Sequence, residues 1–214
     1  MITQKGQSIE DKSMEIIDKE IGSHPYSPDE WIIVKRIIHS TADFDFAREN
    51  RVVFHKDAID SGIEALQRGC SIVTDVNAVI GGLNKDNMKK FGNKVICNIS
   101  DPLVVDEAKR LNKTRAQTSM RMAAEQMNHG IIAIGNAPTA LLEVIQMVKE
   151  GVTSPSLVIG IPVGFVCAVE SKDDLRTTNI PYITNLGRKG GSSSASAVIN
   201  ALFKIILERS KSTK

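Results

Sequence analysis

The sequence has little of what would assign it to a specialised class of protein. Aromatic residues make up 4% of its 214 residues, so Ile, Val, Leu, Ala and Met must fill the core. The three cysteines, Cys70, Cys97 and Cys167, form no CxxC pair and no metal-ligand spacing. Reduced buried thiols are therefore expected, rather than disulfides or a metal site. The net charge of +2 is too small to indicate a nucleic-acid partner.

Long apolar segments are also missing. The longest nearly uninterrupted apolar run, residues 157–169, contains glycines and a proline and is too short to cross a bilayer. Residues 1–12 are polar and lack the apolar core of a signal peptide. We therefore expect a cytoplasmic protein with no membrane partner.

What the sequence does have is an ordinary globular balance, with 42% hydrophobic and 24% charged residues. Its length suits one large domain, which we place at residues 1–214 with 1–7 and 210–214 frayed. Short apolar, β-branched segments alternate with amphipathic ones. This predicts an α/β fold, a single-domain three-layer α/β/α structure around a mostly parallel sheet. Strands are expected at 71–74, 95–99, 131–134, 157–161 and 182–185, and helices at 8–21, 28–40, 56–68, 115–127, 140–149 and 194–207.

Two helix starts can be read from capping residues. Ser8 is a plausible cap for the first helix. Ser27, Pro28 and Glu30 supply a cap, a proline at the first position and an acidic third position for the second helix. Residues 42–53 are expected to form a loop.

Glycine-rich strand ends are the most suggestive feature of the alternating pattern. Ligands bind beyond the carboxyl ends of parallel strands, and the free N–H groups of the helices that follow attract anions. The clearest case is the segment that contains Gly187, Arg188, Gly190, Gly191 and Ser192. Its glycines let the backbone approach a ligand, its cationic side chain adds charge, and its serine can cap the final helix. A plain glycine-rich turn explains the segment equally well.

Arg36 and His39 lie three residues apart and therefore share a face of the second helix. His39 falls in the last turn, where the helix dipole favours the imidazolium, so it is a candidate general acid. Arg36 opposes that protonation unless an anion binds beside it. A structural histidine next to an exposed arginine is the simpler alternative.

Five further polar residues could contact a ligand. Ser13 lies on the apolar face of the first helix, where it can bond a ligand or, by default, a backbone carbonyl. Thr114 and Arg115 begin a helix and can anchor an anion or serve as an ordinary cap with a solvated arginine. Asp75 and Asp101 each follow a strand and could be site residues or helix caps. The remaining histidines stand in expected loops without partners, so no metal site is predicted.

Several stretches, taken in order, resemble precorrin-8X methylmutase, an enzyme family of cobalamin biosynthesis. They cover the chain from about residue 8 to about residue 207. They are residues 9–14 (IEDKSM), 36–39 (RIIH), 95–102 (VICNISDP), 112–115 (NKTR), 133–141 (AIGNAPTAL), 160–166 (GIPVGFV), 170–172 (ESK) and 187–192 (GRKGGS).

The resemblance implies an isomerase that moves a methyl group from carbon 11 to carbon 12 of a corrin precursor. No cofactor and no protein-bound metal is implied, because the methyl group is already on the macrocycle. His39 matches the family's catalytic histidine, Ser13 and Arg36 match substrate-binding positions, and Thr114 with Arg115 lines the site. A homodimer with sites near the subunit interface is also implied. The substrate carries many carboxylates, so Glu10 is expected to point away from it.

Two other functions fit parts of the pattern. A non-catalytic corrinoid carrier would use the same pocket and would not need His39. A nucleotide-dependent oxidoreductase would use a similar sheet, but the chain has no GxGxxG motif, which argues against it.

Overall fold

A computed structural model describes residues 3–49 and 51–212 of the chain, without the side chain of Ser212. Its centre is a six-stranded sheet with the order β1-β6-β5-β4-β2-β3. β1 is antiparallel to β6, and all other neighbouring strands are parallel. The strands are β1 (Val52–Phe54), β2 (Ser71–Thr74), β3 (Lys94–Ile96), β4 (Ile131–Ile134), β5 (Leu157–Gly160) and β6 (Tyr182–Asn185). The expected α/β fold with a mostly parallel sheet is confirmed.

Helices cover both faces of this sheet. They are α1 (Gln4–Ile21), α2 (Pro28–Thr41), α3 (Ala58–Gln67), α4 (Asn77–Gly81), α5 (Lys85–Phe91), α6 (Pro102–Leu111), α7 (Arg115–Met122), α8 (Ala124–Met127), α9 (Pro138–Lys149), α10 (Ala168–Arg176) and α11 (Ser192–Ser212). Within the described residues, no helix has the length and apolar character needed to cross a membrane.

The core consists of two apolar clusters, one on each face of the sheet. The first joins α2, α3 and α11, and the second joins α7, α9 and α10. Strand β4 shows how the sheet separates them. Ile131 and Ala133 belong to the first cluster, whereas Ile132 and Ile134 belong to the second. Successive strand residues point to opposite faces, and both faces are covered, which explains the continuous apolar runs of the sequence.

Helix α2 begins as the sequence predicts. The Ser27 side chain accepts from the N–H of Glu30, and the Glu30 carboxylate accepts from the N–H of Ser27. Pro28 occupies the first helical turn. The helix ends at Thr41 and is followed by the capping residue Ala42, whose φ of 54° is left-handed. Its last turn therefore carries His39.

The structure differs from the sequence predictions at several segment ends and in four helices that were not predicted, α4, α5, α6 and α10. The helix predicted at 115–127 is divided into α7 and α8. Helix α1 begins at Gln4 with Thr3 as its cap, so the predicted cap at Ser8 was wrong. Residues 4–7 and 210–212, which we expected to fray, belong to α1 and α11. Strand β1 lies in the segment predicted as a loop. It has three residues, too few to show an alternating pattern, and it pairs only with β6 at the edge of the sheet.

Candidate functional site

Two of the polar contacts that join α1 to α2 involve His39 and Arg36. The hydroxyl of Ser13 lies 2.8 Å from Nδ1 of His39. One turn away, Arg36 donates to the carboxylate of Glu10 at 2.5 Å. Each helix supplies residues three apart, so the two contacts lie side by side. The structure therefore brings together Ser13, Arg36 and His39; the helical spacing predicted the pair Arg36 and His39, and the family resemblance implied Ser13.

Glu10 is the exception, because its predicted orientation was wrong. Its carboxylate faces Arg36, whose side chain is 27% exposed. A partly buried guanidinium is costly without an anionic partner, which explains why Glu10 turns inward. The sequence analysis expected the Ser13 hydroxyl to bond a backbone carbonyl by default. This was also wrong, because the hydroxyl contacts the imidazole of His39.

The contact with Ser13 defines what His39 can do. If Ser13 donates to Nδ1, the neutral ring carries its proton on Nε2; in the imidazolium, Nδ1 donates to Ser13 and Nε2 again carries a proton. If Nδ1 of the neutral ring donates to Ser13 instead, Nε2 is an unprotonated acceptor. In each state no hydrogen bond engages Nε2 among the described residues, so Nε2 is free to exchange a proton or a hydrogen bond with a ligand.

His39 lies between two open cavities. One has a volume of about 310 Å³, and its lining includes Arg36, Ser193 and Asn200. The other, of about 190 Å³, is lined mainly by apolar residues, with Ser13 and Glu20 as further polar members beside His39. Neither is large enough to enclose a macrocycle. Both open towards solvent, so a large ligand would extend beyond them.

The glycine-rich loop 187–191 is held from behind by a buried lysine. Nζ of Lys172 donates to the carbonyl oxygens of Gly187 at 3.0 Å and Lys189 at 2.6 Å. Asn185 also donates to the Lys189 carbonyl, at 2.9 Å. Lys172 is 1% exposed, and this burial lowers its pKa to about 7. Gly187 needs its lack of a side chain here, because its φ is 74°.

The front of the same loop is tied to the end of α2. The side chain of Lys189 donates to Asp43 and Asp45, and these hydrogen bonds raise its pKa. The hydroxyl of Ser40, next to His39, donates to the Ile37 carbonyl at 2.9 Å and lies 3.4 Å from the carbonyl oxygen of Ser193. The first turn of α11 therefore lies beside His39, and the charge of Lys189 is already paired.

Arg188 and the exposed Phe165 form a second part of this edge. The Arg188 guanidinium lies 5.7 Å from the ring centroid of Phe165, within reach of a cation–π contact. The N–H of Gly164 also donates to the carbonyl of Arg188. Phe165 is 87% exposed, and the sequence reasoning did not select it. The sequence could have indicated Phe165, because it is an aromatic residue in the loop that follows a predicted strand.

The turn after β4 does not offer its N–H groups to a ligand. Both carboxylate oxygens of Asp75 accept from it, and the donors are the N–H groups of Gly135, Asn136 and Ala137, at 3.0, 2.8 and 2.7 Å. Burial raises the pKa of Asp75, although these three bonds oppose the rise. Asp75 is therefore neither a cap of its own helix nor an exposed site residue. It holds the neighbouring strand end in place.

Thr114 and Arg115 lie apart from this cluster. Thr114 caps α7 in a reciprocal arrangement with Gln117, and its hydroxyl lies 3.2 Å from that of Thr139 at the start of α9. Both Thr114 and Arg115 are exposed. Within the described part of the chain, no hydrogen bond or ion pair joins either of them to His39. Asp101 is a cap, since it accepts from the N–H of Leu103.

The described residues contain no cluster of three or more His, Cys, Asp or Glu side chains that could hold a metal. Two of the remaining histidines have partners, contrary to expectation. His24 stacks on Trp31 with ring centroids 4.0 Å apart. His55 accepts from the N–H of Asp57 at 3.3 Å.

Comparisons with known proteins agree with one another. Residues 8–205 match the family model described as precorrin-8X methylmutase. The chain is 50% identical to cobalt-precorrin-8 methylmutase of Priestia megaterium, over 94% of this chain and 88% of the relative. It is 47% identical to the enzyme of that name from Leptospira interrogans, over 97% of both chains. A crystal structure of precorrin-8X methylmutase from Thermus thermophilus superposes with a TM-score of 0.89 at 38% identity, covering 95% of this chain and 98% of the other.

Proposed function

This chain belongs to the precorrin-8X methylmutase family, and from that membership we propose its substrate, its proton donor and its assembly. The protein is an isomerase of cobalamin biosynthesis that moves a methyl group within one molecule. Family membership also removes the alternative of a nucleotide-dependent oxidoreductase.

We propose that the methyl group moves from carbon 11 to carbon 12 of the macrocycle and that His39 supports the shift through Nε2. The bond from the methyl group to carbon 11 breaks as the bond to carbon 12 forms. A proton that Nε2 lends to the macrocycle returns to it, because the reaction is an isomerisation with no net gain or loss of atoms. The observation that carries this proposal is the contact between Ser13 and Nδ1, which orients the ring and leaves Nε2 without a partner beside the cavity.

The carboxylates of the substrate require cationic and N–H partners around this point. Arg36 lines the same cavity as His39, and the first turn of α11 borders it through Ser193. We propose that both bind carboxylates, together with Arg188 and the backbone of the glycine-rich loop. Ser13 orients the imidazole. Arg115 and Thr114 would bind a more distant carboxylate, since no contact joins them to His39.

We propose that the natural substrate contains cobalt. The relatives that are 50% and 47% identical are named for cobalt-precorrin-8, whereas two named for precorrin-8X, from Sinorhizobium and Pseudomonas aeruginosa, are 33% and 34% identical. Cobalt would be part of the substrate and not a resident metal of the protein. Parallel assays with both forms test this choice, and a kcat/KM that favours the metal-free form would contradict it.

We also propose a cytoplasmic homodimer that uses no nucleic-acid or membrane partner. The two cavities beside His39 are too small for the whole macrocycle, which supports a site completed by a second subunit. Light scattering after size-exclusion chromatography measures the assembly directly. A monomeric mass for an active enzyme would contradict the proposal.

The first test is the visible absorption spectrum of the purified protein incubated with cobalt-precorrin-8 or precorrin-8X. Wild type should convert the spectrum to that of a corrin, whereas His39→Ala should bind the substrate without converting it. Conversion by His39→Ala at the wild-type rate would remove the proposed role of the histidine. Binding without any spectral change in wild type would indicate a corrinoid carrier.

A further inference from the structure

We propose that Lys172 is a positioning residue for substrate binding, because it turns two peptide groups of the loop 187–191 so that their N–H groups face a substrate carboxylate. The inference rests on the proposed function and adds a residue that never contacts the substrate. Lys172 lies on α10, and its ammonium reaches the loop from the face of the sheet opposite α2 and α11.

The orientation follows from peptide geometry. In a trans peptide the C=O of one residue and the N–H of the next point in opposite directions, and the described chain has no cis bond. Lys172 binds the carbonyls of Gly187 and Lys189, so the N–H groups of Arg188 and Gly190 point away from it. Within the described residues, no backbone acceptor engages either N–H group. Two N–H groups from alternate residues therefore face outward together.

The side chain of Lys189 indicates towards which part of the fold the N–H groups of Arg188 and Gly190 point. Its carbonyl is bound from the α10 side, whereas its ammonium reaches Asp43 and Asp45, which follow α2. The two N–H groups are thus directed to the side on which His39 lies. A pair of N–H groups beside a cationic side chain, here that of Arg188, is a suitable partner for one carboxylate.

A buried lysine suits this task better than an apolar residue would. Without Lys172 the Gly187 carbonyl would lose its donor and the Lys189 carbonyl would keep only Asn185, so the loop would be freer to flip those peptides. Both the ammonium and the neutral amine have at least two N–H groups, so the loop stays anchored in either protonation state. The approach of the loop to β5 also leaves little room for rearrangement, because a Cβ on Gly190 would lie 2.4 Å from the carbonyl oxygen of Ile161.

Lys172→Met tests the proposal, because methionine has a similar length and cannot donate. We expect the KM for the cobalt-precorrin substrate to rise about tenfold, with kcat changed less than about threefold. Lys172→Gln keeps a donor and should recover part of the loss. Lys204→Met removes an exposed lysine of α11 that pairs with Glu208, and it should leave both constants unchanged. Hydrogen exchange of peptides covering 187–191 should quicken only in the Lys172 variants.

Several results would overturn the proposal. A folded Lys172→Met enzyme with the wild-type KM would do so, as would a fall in kcat at unchanged KM, since that would place the effect on the reacting atoms. If Lys172→Met does not fold, Asn185→Leu decides the question, because it keeps Lys172 and removes the bonds from Asn185 to the carbonyls of Lys189 and Leu186. A raised KM in that variant supports the proposal and an unchanged KM refutes it. Absence of turnover in wild type would refute the proposed function instead, and titration with the corrin product would still measure the loop's contribution to binding.

Discussion

Lys172 should make the stability of the fold depend on pH in a calculable way. Its pKa is about 7 in the folded protein and 10.5 in a solvated lysine. Between these values the unfolded chain binds a proton that the folded protein does not. The free energy of unfolding therefore rises with pH through this window, and below pH 7 the stabilisation is lost because both states are protonated.

The size of the effect follows from the two pKa values. Between pH 6 and pH 8.5, the lysine should add about 2 kcal/mol to the free energy of unfolding. The two carbonyl groups that accept from Lys172 favour its charged form and so oppose the lowering of its pKa. The value of about 2 kcal/mol is therefore an upper value. Other groups also titrate, among them Cys70, whose pKa burial raises to about 11. Their contributions cancel when wild type is compared with Lys172→Met at each pH.

Urea unfolding followed by circular dichroism at four pH values from 6 to 8.5 measures this difference. Wild type should gain stability relative to Lys172→Met as the pH rises. A difference that stays constant within about 0.5 kcal/mol, or that falls with pH, would show that the ammonium is fully compensated in the folded protein. The reasoning from burial would then be refuted.

Three other substitutions give separate tests. Asp75→Asn keeps one carboxylate oxygen and replaces the other with an NH2 group, which faces a backbone N–H and cannot accept from it. Urea unfolding should show that the free energy of unfolding falls by about 2–4 kcal/mol, and no fall would contradict the anchoring role. Ser13→Ala should lower kcat roughly tenfold at unchanged KM, because His39 loses the partner of Nδ1, and a normal kcat would remove that role. Glu10→Gln should lower the substrate KM by about threefold at low salt, since Arg36 is no longer neutralised; a higher KM would mean that the carboxylate serves to orient Arg36.

The sheet could be predicted because it is buried on both faces. Its inner strands appear as short β-branched runs between helices, and β4 and β6 were predicted at their observed bounds. The edge strand β1 could not be predicted, because three residues are too few to show an alternation of apolar and polar side chains. The strand forms only because it pairs with β6.

The candidate site was predictable only within single helices. The spacing of Arg36 and His39 follows from the helical repeat, but the contacts with Ser13 and Glu10 depend on how α1 packs on α2, which no local pattern encodes. Lys172 was missed for a related reason. A lysine among charged neighbours in a helix is expected to be solvated, and only the tertiary fold buries it against the loop.

The packing of α1 has a consequence for how the enzyme loses activity. Among its eighteen residues, only Ile17 is buried, yet the helix supplies both Ser13 and Glu10. Apart from Ile17, α1 is held by the partly buried Met14 and Ile21 and by bonds from Trp31 and Lys35 to Asp18. Local opening of α1 therefore requires much less free energy than global unfolding. Mild denaturant or warming should inactivate the enzyme while its sheet remains intact, and dilution of the denaturant should restore activity without refolding the core.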